Sequence, residues 1–145
     1  MQRMDYGAAA PEAYKKFIEI YMYHTKCGLN KTLLDMVYLR VSQINGCSYC
    51  VDQHWTDAKN AGADLRKLNS IVTWRKTTFF TDQERAALNW AEAVTKLEHQ
   101  QVSDADYEES RKYFSEKELA DLTFAIANMN AMNRFAIAFK KYPPA

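Results

Sequence analysis

Apolar residues recur at intervals of three and four along most of the chain, the period of a helix that turns one face inward. Tyr14, Phe17, Ile18 and Tyr21 carry that period after Pro11, which suits the first helical position, and predict a helix to about Cys27 and Gly28. Leu33, Leu34, Val37, Val41 and Ile44 carry a second helix, with Asn30 placed to cap its start and Gly46 interrupting it. A third begins at Cys47 and runs to about Ala61 and Gly62. Asp64 caps a short helix holding Leu65, Leu68, Ile71 and Val72, and a loop follows Trp74. Thr81 with Glu84, and Ser115 with Glu118, have the spacing of capping boxes. The first opens a helix carrying Ala87, Leu88, Ala91, Val94 and Thr95. The second opens a long helix through Leu119, Leu122, Phe124, Ile126, Phe135 and Ile137 that Pro143 stops. Ser103 starts another between them, to about Phe114. No segment alternates apolar and polar residues as a strand does. The pattern predicts an all-α fold, a single-domain helical bundle of about six or seven helices over residues 1–145, without linker or tandem repeat.

Composition agrees with that picture and narrows the function. Apolar residues make up 48% and charged residues 26%, with only 4 Gly and 3 Pro, as in an ordinary globular chain. Nineteen Lys and Arg against eighteen Asp and Glu leave a net charge of +1, which lacks the electrostatic footprint of a nucleic-acid binder. No apolar run reaches the roughly 18 to 20 residues that span a bilayer. Met1-Gln2-Arg3-Met4-Asp5 has no apolar segment of a signal peptide behind it, so a cytoplasmic protein without a membrane partner is expected. Three cysteines, two of them in a C-x-x-C, do not make a disulfide framework, so their role is chemical or metal-binding.

The informative stretch is Gly46-Cys47-Ser48-Tyr49-Cys50-Val51-Asp52-Gln53-His54. With Cys47 in the first turn of a helix, Cys50 three residues on and His54 four further share its face. A helix N-terminus stabilises a thiolate and a neighbouring imidazole accepts the thiol proton. A thioredoxin-type site needs a strand before the motif, and none precedes Cys47. A zinc site would draw its fourth ligand from Cys27, His24 or Asp35, but no second C-x-x-C or His pair completes a finger. The bland alternative is two small thiols and an imidazole packed in a core.

The preceding helix adds a polar stripe of Asp35, Tyr38, Ser42 and Asn45. In an antiparallel hairpin about Gly46, His54 lies opposite Tyr38, and Asp35 is three residues further, roughly 4.5 Å by helical rise. Asp35 then reaches His54 directly, through one water or through the Tyr38 hydroxyl, as a carboxylate–imidazole–thiol relay. The competing reading is a solvated Asp. Cys27 reads as a packed or partly exposed thiol, His24 and His99 show no partner, and Trp55 stands beside His54 as a candidate pocket wall.

Asp35, eleven residues, Cys47-x-x-Cys50 and three more to His54 resemble the acidic-x11-Cys-x2-Cys-x3-His signature of the alkylhydroperoxidase D-like proteins in the carboxymuconolactone decarboxylase superfamily. Leu39-Arg40-Val41-Ser42-Gln43-Ile44-Asn45-Gly46 and Asn130-Ala131-Met132-Asn133-Arg134 are also similar to its small members. The resemblance implies an all-α fold, a homotrimer or homohexamer, and a thiol-dependent hydroperoxide reductase without metal or organic cofactor. It makes Cys50 the attacking thiolate, Cys47 the resolving thiol, His54 the base and Asp35 its orienting partner. The implied partners are a peroxide substrate and a dithiol reductant or adaptor. The chain departs from the family in carrying Asp35 where Glu is usual and Tyr49 where the best-studied type has His. Decarboxylases of the superfamily lack the dithiol, so both cysteines argue against lactone decarboxylation. The competing class is a non-enzymatic redox-sensing or metal-binding helical module built on the same pair.

Overall fold

A computed structural model describes residues 1–144. Among them are eight α-helices and no strand: α1 (Tyr6–Ala9), α2 (Pro11–His24), α3 (Lys31–Asn45), α4 (Ser48–Asn60), α5 (Leu65–Ser70), α6 (Asp82–Lys96), α7 (Asp104–Arg111) and α8 (Glu116–Ala138). Two 3-10 turns, Ile71–Lys76 and Glu98–Gln100, follow α5 and α6. No helix is long and apolar enough to cross a membrane among the described residues.

Local chemistry sets most of the boundaries. Both capping boxes form: the Thr81 and Ser115 hydroxyls accept from the backbone of Glu84 and Glu118, whose carboxylates accept in return from the backbone N–H of Thr81 and Ser115. The count exceeds the predicted six or seven because α1 is a four-residue helix, too short to show a period and held by the Asp5 carboxylate at its start. α2 ends at His24 rather than near Cys27. Its last bonds span three residues, from Thr25 N–H to the Met22 carbonyl and from Lys26 N–H to that of Tyr23, which tighten and close the turn. α8 ends at Ala138, ahead of Pro143. Lys140 turns left-handed with φ of 52° and Lys141 N–H reaches back to the Ala136 carbonyl.

α3 is the central helix, and every residue from Leu33 to Leu39 is buried. One of its faces packs Leu34, Val37 and Val41 on Ala87, Trp90 and Ala91 of α6 and on Leu122, Ile126 and Met129 of α8. The opposite face packs Met36 and Leu39 on Ala58 of α4 and on Leu68, Ile71, Trp74 and Phe80. Burial on both sides draws the polar stripe inward as well, so Asp35, Tyr38 and Ser42 lie inside the protein rather than toward water. The far end of the stripe is tied down by amides. Asn45 Nδ2 donates to Asn130 Oδ1 at 2.9 Å and Asn133 Oδ1 at 3.0 Å, and Asn133 Nδ2 donates to the Ser42 hydroxyl at 3.1 Å. These bonds fasten the C-terminal end of α3 to α8, next to the turn that carries the cysteines.

Candidate active site

Gly46 closes α3 in the left-handed region, with φ of 71°. Its N–H and that of Cys47 return to carbonyls in the last turn of α3, and the chain reverses into α4. Cys47 is the cap of α4 rather than a residue of its first turn: its backbone is extended, and its sulfur accepts from the Cys50 N–H at 3.3 Å. The motif still achieves what its spacing predicts. The structure joins the two sulfurs, with the Cα atoms 5.3 Å apart. Both cysteines are sealed, Cys47 at 1% and Cys50 at 6% exposure, against Ala136 of α8 and the partly buried Tyr49. The Lys141 ammonium lies 4.1 Å from the centre of the Tyr49 ring.

His54, one turn beyond Cys50, is 7% exposed. Its ring lies 5.3 Å from that of Tyr38 and 6.4 Å from that of Tyr21, and these two tyrosine rings meet at a tilt with their centres 5.4 Å apart. Burial lowers the imidazole pKa to about 4, with Asp57 opposing and Lys31 adding to the shift. The ring is therefore neutral at pH 7, and its Nδ1 has no partner among the described residues. Sulfurs joined to each other carry no proton to offer it. Burial, and then neighbouring Tyr21, Asp35 and Cys27, push the Tyr38 phenol well above its ordinary range.

Asp35 is brought to this neighbourhood but not into the direct contact that the hairpin geometry allows. Its carboxylate binds the ammonium of Lys31, one helical turn earlier on α3, at 2.5 Å. Burial raises the Asp35 pKa, against the hydrogen bond and charge of Lys31. The solvated alternative fails as well, because Asp35 is 4% exposed. Tyr38 abuts the imidazole and lines one small cavity together with Asp35.

The remaining candidates separate. Trp55 is half-exposed on the outer side of α4, with Lys59 over its ring. Cys27 lies in the loop after α2 and its thiol donates to the His24 carbonyl at 3.5 Å. His24, unpartnered in the sequence reading, is fully buried and engages the Asp121 carbonyl of α8 at 2.9 Å. No sequence signal marks that pairing across 97 positions, whereas the Lys31–Asp35 pair is a readable i,i+4 spacing.

The comparisons with known proteins fall on this framework. The carboxymuconolactone decarboxylase family profile matches residues 11–93, from α2 through the cysteine motif into α6. The uncharacterized protein YdfG of Bacillus subtilis (strain 168) is 32% identical over 137 residues, covering 94% of this chain and 93% of its own. Among solved structures, ATU0492 of Agrobacterium tumefaciens superposes with a TM-score of 0.95 at 35% identity, over 100% of this chain and 99% of that one. That protein is described as of unknown function, with a proposed antioxidant-defence role (AhpD). The debrominase Bmp8 shares the fold at a TM-score of 0.85 and 21% identity, covering 95% of this chain and 74% of its own. The chain belongs to the carboxymuconolactone decarboxylase family, as an alkylhydroperoxidase D-like member.

Proposed function

We propose that the protein is a thiol-dependent hydroperoxide reductase that cycles Cys47 and Cys50 between dithiol and disulfide. The observation that carries this reading is the joining of the two sulfurs at the start of α4 with a neutral imidazole one turn away. In the reduced protein the Cys50 thiol has that imidazole as proton acceptor, and the free N–H groups of the helix start favour the thiolate. The Cys50 thiolate attacks the terminal peroxide oxygen, the O–O bond breaks, and the leaving alkoxide takes a proton to become the alcohol. Cys50 is then a sulfenic acid. Cys47 attacks that sulfur, expels water, and closes the disulfide before further oxidation proceeds. An external dithiol restores both thiols by exchange and leaves as its own disulfide. Asp35 acts through Tyr38 on the orientation of His54.

The test is turnover. Reduced protein given excess hydroperoxide and a dithiol is expected to consume many equivalents, Cys50→Ser none, and Cys47→Ser to accumulate a sulfenic acid trapped by a β-diketone. Peptide mapping of the oxidised protein should link Cys47 to Cys50 and leave Cys27 free. Loss of a single equivalent without recovery would instead mark a redox sensor. Debromination of a bromopyrrole without peroxide consumption would move the same dithiol to the chemistry named for Bmp8.

A further inference from the structure

Five aromatic rings gather where the start of the chain meets the end of α8. The Tyr6 ring lies 5.7 Å from that of Phe135 and 5.6 Å from that of Phe139, centre to centre. Tyr14 and Phe17 of α2 meet Tyr6 and Phe135 edge-on. None of the five is fully buried. They line an almost wholly apolar cavity of about 210 Å³, with Ala13 of α2 also in its wall. An apolar cavity of about 150 Å³ admits benzene, so this one has room for a phenyl ring and a short stretch of methylenes.

Tyr6 and Tyr14 also line a second, more open chamber of about 460 Å³, and Lys141 stands in its wall. The Lys141 ammonium lies 4.1 Å from the centre of the Tyr49 ring and 5.9 Å from that of Tyr6. Burial pulls its pKa down, but the tyrosines around it, Tyr49 first, hold it above the ordinary value, so the side chain is charged at pH 7. Asp5 is the one carboxylate in the chamber wall, and it is engaged at the start of α1, where it accepts from the Ala8 N–H at 3.0 Å. Among the described residues, Lys141 thus has aromatic neighbours and no ion pair. A cation without a carboxylate, beside an apolar cavity, complements a molecule that is hydrocarbon at one end and carboxylate at the other. A plain hydrocarbon leaves the ammonium unmatched, and a strongly polar anion loses its hydration in the cavity without recompense.

We propose that this cleft binds an apolar carboxylic acid of about the size of a phenylalkanoate, its hydrocarbon among Tyr6, Tyr14, Phe17 and Phe135 and its carboxylate on Lys141. Occupancy bears on the cysteines. Tyr49 packs against Cys47, Cys50 and Ala136, and Lys141 is the cation on its ring. The Lys141 N–H donates to the Ala136 carbonyl at 2.9 Å, so the backbone stays fixed while the long side chain turns toward the ligand. An ammonium–carboxylate contact is stronger than an ammonium resting on a phenol ring. The bound acid therefore draws Lys141 off Tyr49 and loosens the ring that covers the two sulfurs.

The experiment uses 4-phenylbutyrate and its neutral counterpart 4-phenylbutan-1-ol on the oxidised protein. In an NMR titration the acid should shift the resonances of Tyr6, Phe135 and Lys141, with a Kd in the millimolar range or below, as befits so small a ligand. Lys141→Met should weaken the acid about tenfold and leave the weaker binding of the alcohol unchanged. Ala13→Trp, which fills the cavity and keeps Lys141, should abolish both, and melting curves check that each variant folds. Dithiothreitol reduces the pair by exchange, closing to its own cyclic disulfide and leaving both cysteines as thiols. Saturating acid should speed that reduction severalfold in the parent, whereas Lys141→Met should react at the faster rate with or without acid. No shift at millimolar acid, or shifts at the groove around Phe124 instead, overturns the site. Equal affinity for acid and alcohol overturns the Lys141 anchor. Bound acid with an unaltered rate of reduction overturns the release of Tyr49. None of these measurements uses peroxide, so they decide the cleft separately from the hydroperoxide reductase reading.

Discussion

The state of His54 is set by burial and not by a proton partner, which gives it a measurable cost in acid. The unfolded imidazole titrates near 6.5 and the folded one near 4, so below pH 6.5 the unfolded chain binds a proton that the folded chain refuses. The contribution of His54 to stability is intact above pH 6.5, falls as the pH drops toward 4, and levels off below that. The total loss is about 3 kcal/mol. Urea midpoints measured from pH 7 to pH 4 should show it, and His54→Gln should flatten that part of the curve. For Asp35, replacement by Asn removes the charge that favours the imidazolium formed when Cys50 gives up its proton. Iodoacetamide modification of Cys50 in the reduced protein should slow about tenfold at neutral pH, while Asp35→Glu keeps or increases the rate. Superimposable curves for the three proteins would remove Asp35 from the mechanism. At this scale the meeting of Cys47 and Cys50 is legible from spacing alone, because three residues make about one helical turn. The reach of Asp35 is less legible, since Lys31 on the same helix competes for it and the resulting ion pair depends on how the mouth of the cavity closes.

Among the elements, those with local signals are the legible ones. Thr81 with Glu84 and Ser115 with Glu118 announce their helices because both halves of each capping box lie within four residues. The centrality of α3 is not announced, because residues such as Asp35 and Ser42 read as a solvent face until other helices cover them. The α3–α4 turn is the element on which the site depends. Gly46 has φ of 71° and nothing within 4 Å of where a Cβ would stand, so the cost of a side chain there is conformational and not steric. Gly46→Ala should destabilise by about 1 kcal/mol and Gly46→Asn by less, read from thermal melts. Asn133 is buried and serves both Asn45 and Ser42, so Asn133→Ala leaves two partners unmatched at the join of α3 and α8. A loss of about 2 kcal/mol is expected, with hydrogen exchange accelerated first at the end of α3.

For the whole molecule, the apolar surface exceeds what one copy covers. Phe124 on α8 is 64% exposed at the edge of an apolar groove with Trp90, Tyr107 and Leu119. Together with the trimers or hexamers implied by the resemblance, this leads us to expect a closed homo-oligomer whose copies cover that groove. Light scattering at micromolar concentration should give a mass several times 16.8 kDa, and Phe124→Glu should lower it. A parent protein that scatters as a monomer would contradict the expectation. Assembly is the part least legible in sequence, since the positions that stay exposed are defined only once the helices have packed.

The sealing of the cysteines under Tyr49 and Ala136 bears on how the protein lives among other thiols. Exchange requires an attacking thiolate to line up with the sulfur–sulfur bond, and two cysteines buried to 1% and 6% exposure offer little line of approach to a molecule arriving at random. The oxidised form is insulated from the surrounding thiol pool by access alone, whatever the balance of potentials. In the proposed dithiol cycle, a donor that carries its own means of moving Tyr49 would reduce the pair selectively, and one electron supply would then be kept apart from the rest.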